Sequence, residues 1–210
     1  ACAPYRRLHL CHHNLESIQT NNYNSSNAKH NLLLDVCLAA KHEGDSIRGY
    51  HGIHQGTNPD SQLCTVLARS FADIGDIVRG KDPFYGNPQE SARRDKLEKN
   101  LKNIFAKIDS EVTSDKNGEL KTRYENDTTD YYQLREDWWY ANRHTVWKAI
   151  TCGAGQNDKY FRQTCNDSGT WSHANHKCRC RSKNGQHDTD QVPTYFDYVP
   201  QFLRWFEEWA

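Results

Sequence analysis

Apolar positions recur at helical spacing along most of this chain, and they divide it into a small number of segments. The most aromatic segment runs from about Asp130 to Thr151. At about 100° per residue, Tyr131, Leu134, Trp138, Ala141, Thr145 and Ala149 share one face, which Trp139, Val146 and Ile150 widen. Tyr140 and Trp147 fall on the opposite side. A surface helix needs only one apolar stripe, so large rings on both sides predict a helix lying between other elements. This segment is the expected central strut.

Four further helices follow from the same pattern. Leu32, Leu33, Leu34, Val36, Cys37, Leu38, Ala39 and Ala40 predict a buried helix over Asn31–Lys41. Gly44, Gly49, Gly52, Gly56 and Pro59 then predict a long irregular connection. Ser61–Arg79 places Leu63, Val66, Leu67, Phe71, Ile74 and Ile77 at helical spacing, with Asp60 or Ser61 as N-cap and Gly80 as C-cap. Gly75 inside it costs about 1 kcal/mol relative to Ala, and close approach of the Trp-bearing helix would explain its presence. After a turn-rich break at Asp82–Pro88, Leu97, Leu101, Ile104, Phe105, Ile108 and Val112 predict a helix over Gln89–Val112. Pro200 suits the first turn of a last helix whose aromatic face is Phe202, Leu203, Trp205, Phe206 and Trp209.

Between these helices the pattern fades. Ala1–Cys11 reads as a surface segment tied by its cysteines, Asn21–Lys29 as an Asn/Ser-rich loop, and Thr113–Asp127 as a surface loop. Asp127, Thr128 or Asp130 can cap the Trp-rich helix. Cys152–Tyr198 has no sustained period and contains four cysteines, which would hold so long a loop in shape. No internal repeat and no strand-rich region is present. The fold class is all-α, a disulfide-linked helical bundle with long loops.

Composition refines this picture. The apolar fraction is 36%, but aromatics reach 11% with six Trp, and a few large rings can bury much of a core. There is no Met, so the chain reads as a piece of a longer protein. No apolar run approaches the ~18 residues of a membrane span, and there is no signal peptide. Eight cysteines in so hydrophilic a chain favour disulfides and an oxidising compartment, which makes Cys2, Cys11, Cys37, Cys64, Cys152, Cys165, Cys178 and Cys180 structural disulfide candidates. Formal net charge is zero, so no nucleic-acid partner is expected.

The distribution of charge says more than its sum. Arg93, Arg94, Lys96, Lys99, Lys102 and Lys107 make the 89–112 helix basic, although a solvated helix face is the ordinary explanation of such a run. Lys177, Arg179, Arg181 and Lys183 gather in a stretch without acidic residues from Ser168 to His187. Such groups can pair with sulfates much as they do with phosphates. Trp171 lies beside this second cluster and reads first as a plug for the disulfides.

Chemistry of other kinds finds little support. His173, His176, Cys178 and Cys180 could hold zinc tetrahedrally, but Cys-x-Cys is tighter than the usual spacing and oxidised thiols would not ligate, so no metal is expected. No nucleophile motif or phosphate-binding loop occurs, and Glu136-Asp137 and Glu207-Glu208 are sequence neighbours that do not face each other on a helix. The chain is therefore expected to be no enzyme and to carry no cofactor. Sequons stand at Asn24, Asn126 and Asn166, all in predicted loops.

Several blocks together carry a family resemblance. Ala1-Cys-Ala-Pro-Tyr-Arg-Arg-Leu-His-Leu-Cys11, Asp35-Val-Cys-Leu-Ala-Ala40, Leu67-Ala-Arg-Ser-Phe-Ala-Asp-Ile-Gly-Asp-Ile-Val-Arg-Gly-Lys-Asp82, Arg135-Glu-Asp-Trp-Trp139 with Thr145-Val-Trp-Lys-Ala-Ile-Thr-Cys152, and Val192-Pro-Thr-Tyr-Phe-Asp-Tyr-Val-Pro200 running on to Ala210 resemble the Duffy-binding-like domain of alpha type. That domain heads the variant erythrocyte membrane proteins which malaria parasites export to the infected red-cell surface.

The resemblance implies an all-helical, disulfide-linked adhesion domain. Residues 1–60 would be the later part of its first subdomain, loop-rich with one buried helix. Residues 61–210 would be its helical second subdomain, carrying the cysteine-rich loop 152–198. It implies the extracellular part of a membrane protein, contributing to cytoadherence and rosetting. Partners would be host red-cell or endothelial receptors, heparan-sulfate-like glycans or blood-group sugars, and antibodies. It also implies a bridge from Cys64 to Cys178 or Cys180. The two basic clusters are then the candidate glycan contacts. The alternative is an antigenically variable scaffold that presents neighbouring receptor-binding domains.

Overall fold

The computed structural model describes residues 2–84, 86–114, 118–167, 169–181 and 191–209, with Asp167 described by its backbone alone. Eight helices and one hairpin follow in order among them: α1 (Tyr5–Leu8), α2 (His13–Glu16), α3 (Ala28–Gln55), α4 (Leu63–Arg79), α5 (Pro88–Val112), α6 (Gly118–Tyr124), α7 (Tyr132–Ile150), β1 (Gln163–Asp167), β2 (Thr170–His173) and α8 (Gln201–Trp209). Short 3-10 turns stand at Thr20–Asn22 and Phe196–Tyr198. Among the described residues no helix is long and apolar enough to cross a membrane.

The helices with one clean apolar stripe form as the pattern requires. α5 buries Leu97, Leu101, Ile104, Phe105 and Ile108, and Asn87 with Glu90 closes a capping box at its start. α4 is buried almost throughout and ends on Gly80 in the left-handed conformation. It begins after Gln62, which makes no capping bond, and not on Asp60 or Ser61.

α7 lies against α3 and α4, as a strut does. Trp138, Trp139 and Trp147 are all buried. Phe71 of α4 meets Trp139 and Trp147, each at 5.2 Å between ring centroids. Two glycines set how closely these helices cross. A Cβ on Gly75 would fall 2.7 Å from the Trp139 ring, and one on Gly44 would fall 2.0 Å from the Ile150 carbonyl oxygen. Tyr140 and Trp147, seven residues apart, have different fates: Tyr140 is exposed, whereas the segment at Cys178 covers Trp147 and accepts its Nε1–H at 3.0 Å.

Elsewhere tertiary packing overrides the pattern. α3 does not stop near Lys41 but runs to Gln55, through the stretch whose glycines predict an irregular connection. Leu32, Val36, Ala39 and Ala40 are buried, while Leu34 and Leu38 of the same apolar run face outward. The expected 113–127 loop contains α6, and the expected loop after Cys152 contains the antiparallel β1–β2 hairpin. Only Trp205 of the predicted α8 face is buried; Phe202, Leu203, Phe206 and Trp209 are exposed. The residue at the N-cap of α7 is Tyr131, which makes no side-chain capping bond. Instead Asp127 Oδ2 reaches in from the preceding loop and accepts the Leu134 amide at 2.8 Å.

Two disulfides are present: Cys64–Cys178 joins α4 to the segment after the hairpin, and Cys165–Cys180 ties β1 to that same segment. The other four predicted disulfide cysteines, Cys2, Cys11, Cys37 and Cys152, are free thiols. Cys2 and Cys11 do not tie the N-terminal segment together, because the helical turn of α1 sends them to different neighbours. The Cys2 carbonyl meets Trp209 of α8, and the Cys11 amide donates to Glu43 of α3. Burial pushes the Cys37 thiol up to about 11.

Candidate receptor-contacting surface

With its apolar stripe turned inward, α5 must present its charges to solvent or to the edges of the bundle. Its six predicted contact cations divide into two sets. Arg94 is held within the fold: its guanidinium stacks 4.8 Å from the Phe84 ring centroid, donates to the Phe84 carbonyl and pairs with Asp82 at 2.6 Å. Lys107 donates to the Thr20 and Tyr23 carbonyls at 2.7 Å each, closing the turn before α3. Lys102 pairs with Asp130 at 2.5 Å. The other three, Arg93, Lys96 and Lys99, are exposed and make no ion pair among the described residues. They are the part of the basic helix free to meet another molecule.

The second basic cluster does not form one face. Arg179 turns inward, donating to Thr151 Oγ1 at 2.9 Å and to the Lys148 carbonyl at 2.7 Å, and burial pulls its pKa down. It thereby satisfies a carbonyl at the end of α7. Lys177 is half-buried with φ at 55°, and Arg181 is exposed. Lys183 lies outside the described residues. Cys178 and Cys180, the thiols of the zinc-like pattern, are both in disulfides. Trp171 is 58% exposed and plugs nothing. Asn24, Asn126 and Asn166 are exposed, although Asn166 stands in β1 and not in a loop.

The two clusters stand at opposite ends of α7. Arg135 near its start pairs with Glu98 of α5 at 2.6 Å, and Lys148 near its end meets Arg179. At 1.5 Å per residue this separates them by about 20 Å along the helix axis. They cannot act as a single small binding patch.

A set of buried charges that the sequence does not advertise makes this platform rigid. Asp73 and Asp76 of α4 receive Arg204 of α8 at 2.7 and 2.6 Å, Arg6 of the α1 segment adds a bond to Asp73 at 2.8 Å, and Arg79 adds one to Asp76 at 2.9 Å. Burial alone would raise both acids. At Asp73 the guanidinium groups of Arg6, Arg204 and Arg7 outweigh it and hold the carboxyl below its usual range. At Asp76 burial wins over Arg204 and Arg79 and pushes the acid up to about 6. Asp197 receives Arg143 at 2.7 Å and Trp139 Nε1 at 2.9 Å. Arg135, fully buried, donates to the Val78 and Ile77 carbonyls at the end of α4. One signal was present in the chain: Asp73 and Asp76 stand inside the apolar run Phe71–Val78.

Two adjoining cavities flank α5: one of about 190 Å³ lies between it and the α1–α2 segment, and one of about 220 Å³ lies between it, the end of α4 and Tyr132. They share His12, Phe84 and Arg94 in their walls. Phe84 lies between two guanidinium groups, Arg7 at 5.2 Å and Arg94 at 4.8 Å, and one Asp82 oxygen takes both, at 2.5 and 2.6 Å. His12 bridges Leu10 and Glu16, with Nδ1 2.7 Å from the Leu10 carbonyl and Nε2 3.0 Å from the Glu16 carboxylate.

Comparison with known proteins places these features. The family model described as Duffy binding domain matches residues 1–204. A crystal structure of the NTS-DBL1(alpha-1) domain of the Plasmodium falciparum membrane protein 1 (PfEMP1) from the varO strain is 43% identical, with a TM-score of 0.76 over 100% of this chain and 43% of that one. The NTS-DBL1-alpha and CIDR-gamma double domain of the same strain is 42% identical, with a TM-score of 0.75 over 100% of this chain and 27% of the other. The DBLb domain of a PfEMP1 bound to human ICAM-1 is 31% identical, with a TM-score of 0.64 over 97% of this chain and 38% of the other. The chain thus spans less than half the length of each of these structures. No curated protein matches it.

Proposed function

The chain belongs to the Duffy binding domain family, and from that premise we propose that it is part of a host-receptor adhesion domain, non-enzymatic and displayed outside the infected red cell. In this reading residues 1–60 complete a first subdomain and residues 61–210 form a second. The related DBLb domain bound to human ICAM-1 supports a host-cell surface protein as the partner. The observation that carries the reading here is the division of the α5 cations. Arg93, Lys96 and Lys99 project from a helix fixed at both ends, with no carboxylate of the described residues to neutralise them.

A row of unpaired cations suits the sulfates and carboxylates of heparan-sulfate-like glycans, and contact of this kind would serve rosetting. The test is retention on a heparin column of the folded domain beside its Arg93→Glu/Lys96→Glu/Lys99→Glu variant. Exposed charge contacts are screened by salt, so the variant should elute at clearly lower salt. Unchanged elution would remove α5 from the contact surface.

A second reading is a variable scaffold that antibodies meet while a neighbouring domain binds the receptor. The match to one part of a double-domain structure favours it. Host-cell binding by the neighbouring domain alone, at the full level of the pair, would establish it.

A further inference from the structure

The smaller cavity behind the exposed α5 cations has a lining unlike the rest of the surface. Its walls come from the α1–α2 segment on one side and the first turns of α5 on the other. Arg7 is among its lining residues, yet it is only 2% exposed, and its Nε–H has no hydrogen-bond partner. Its charge is paired with Asp82 through Nη2, but a buried N–H left without a partner still costs free energy, and native folds rarely keep one without a reason. Arg69 and Arg204 also carry unpartnered Nε groups, but neither lines this cavity or its neighbour. Arg94 joins Arg7 in the wall, and Arg93, which has no ion pair among the described residues, stands at the exposed rim.

The carboxylates that could answer these guanidinium groups are already engaged. Asp82 divides one oxygen between Arg7 and Arg94, so two cations share a single carboxylate. Glu90 accepts the Asn87 amide in the α5 capping box, and Glu16 faces His12.

We propose that this cleft is an oxyanion subsite, taking one sulfate or carboxylate group of an acidic ligand between Arg7, Arg93 and Arg94. A cleft of about 190 Å³ has room for such a group at its arginine wall, and the rest of the ligand would continue along Lys96 and Lys99. The inference takes the acidic ligand from the adhesion reading of α5, but the cleft's own binding can be measured without it.

The experiment follows the arginine side-chain Nε–Hε and lysine side-chain resonances of the folded, isotope-labelled chain at fixed ionic strength. The probes are inorganic sulfate, a sulfated heparin disaccharide, its desulfated form that keeps the uronate, and a neutral disaccharide. The Arg7 and Arg93 signals should move saturably with sulfate and stay still with the neutral sugar. Response to the sulfated or to the desulfated disaccharide tells which group the ligand supplies. Arg93→Gln, at an exposed position that leaves the core intact, should weaken sulfate binding roughly two- to fivefold, as for a partly exposed ion pair. An Arg7 signal that none of the anions moves overturns the subsite. If Lys96 and Lys99 respond in that same titration, the adhesion face survives without the cleft. Saturable Arg7 shifts together with heparin retention indifferent to α5 charge reversal would keep the cleft and discard the face.

Discussion

Gly75 of α4 and Trp139 of α7 touch so closely that a single methyl group would not fit between them: a Cβ built on Gly75 lies 2.7 Å from Cζ2 and 2.9 Å from Cε2 of the indole. The indole cannot simply move aside. It is fully buried, packed on Phe71 and held by Asp197 through Nε1. Gly75→Ala raises helix propensity by about 1 kcal/mol, but overpacking a rigid core costs roughly 1–3 kcal/mol. The clash should win, so the variant should be destabilised, as read by urea unfolding followed through Trp fluorescence. A stabilised variant would show that α4 and α7 have room to separate.

Asp197 is the acceptor on which Arg143 and Trp139 converge, and all three are buried. Removing one partner of a buried pair strands the other charge, which costs about 3–5 kcal/mol. Asp197→Ala should therefore be among the most damaging single changes in the chain. Adding Arg143→Met should restore part of the loss, since the stranded guanidinium is then gone. Denaturation of the two single variants and the double one measures this coupling, and simple additivity of the losses would refute it.

The sequence discloses this architecture unevenly, for reasons visible at particular residues. α4 and α5 carry one apolar stripe each, so their burial requires no knowledge of the partner. The close approach at Gly75 was legible because a glycine in mid-helix needs a reason. Gly44 obeys the same logic, since it lets Ile150 approach, but its neighbouring glycines make a helical stretch look like a loop. The ionic core was hidden for a different reason. A charged residue reads as surface until its partner is known, and Arg6 finds Asp73 and Glu208 far along the chain. For the same reason six basic residues on α5 look alike in sequence, while in space Arg94, Lys102 and Lys107 are occupied and Arg93, Lys96 and Lys99 are not. α8 reads as a core helix, yet most of its aromatic face is exposed.

Asp76 should give the fold an unusual response to acid. Its carboxyl titrates near 6 in the folded chain, above its ordinary value of 3.8. A group raised in this way binds its proton more readily folded than unfolded, so its contribution favours folding below the unfolded value and is lost as pH rises through about 6. Asp73, held low, acts in the opposite sense and only at more acidic pH. Relative to Asp76→Asn, the wild-type chain should therefore gain stability between pH 7.5 and pH 4.5. Paired unfolding curves at those two values test it. A difference that stays constant, or that favours the variant in acid, would contradict the raised value.

The two disulfides should differ in both size and reach of effect. Cys64–Cys178 spans 114 residues and links α4, the most buried helix, to the segment that covers Trp147. Cys165–Cys180 spans 15 residues and links β1 to that same segment. Constraint of the unfolded chain grows slowly with loop length, from about 3 kcal/mol for a ~15-residue loop to about 4.7 for a ~100-residue one. Entropy alone therefore separates the bridges by less than 2 kcal/mol, roughly. Packing widens the gap: all four cysteines are buried, but freeing the 178 segment from α4 removes the acceptor of the Trp147 indole. Replacing Cys64 and Cys178 by Ala should lower global stability and reduce amide-exchange protection in α4 and α7. Replacing Cys165 and Cys180 should raise exchange mainly in β1 and β2, leaving α4 and α7 protected. Equal loss of protection in the helices from either pair would mean that the hairpin and the bundle unfold as one unit.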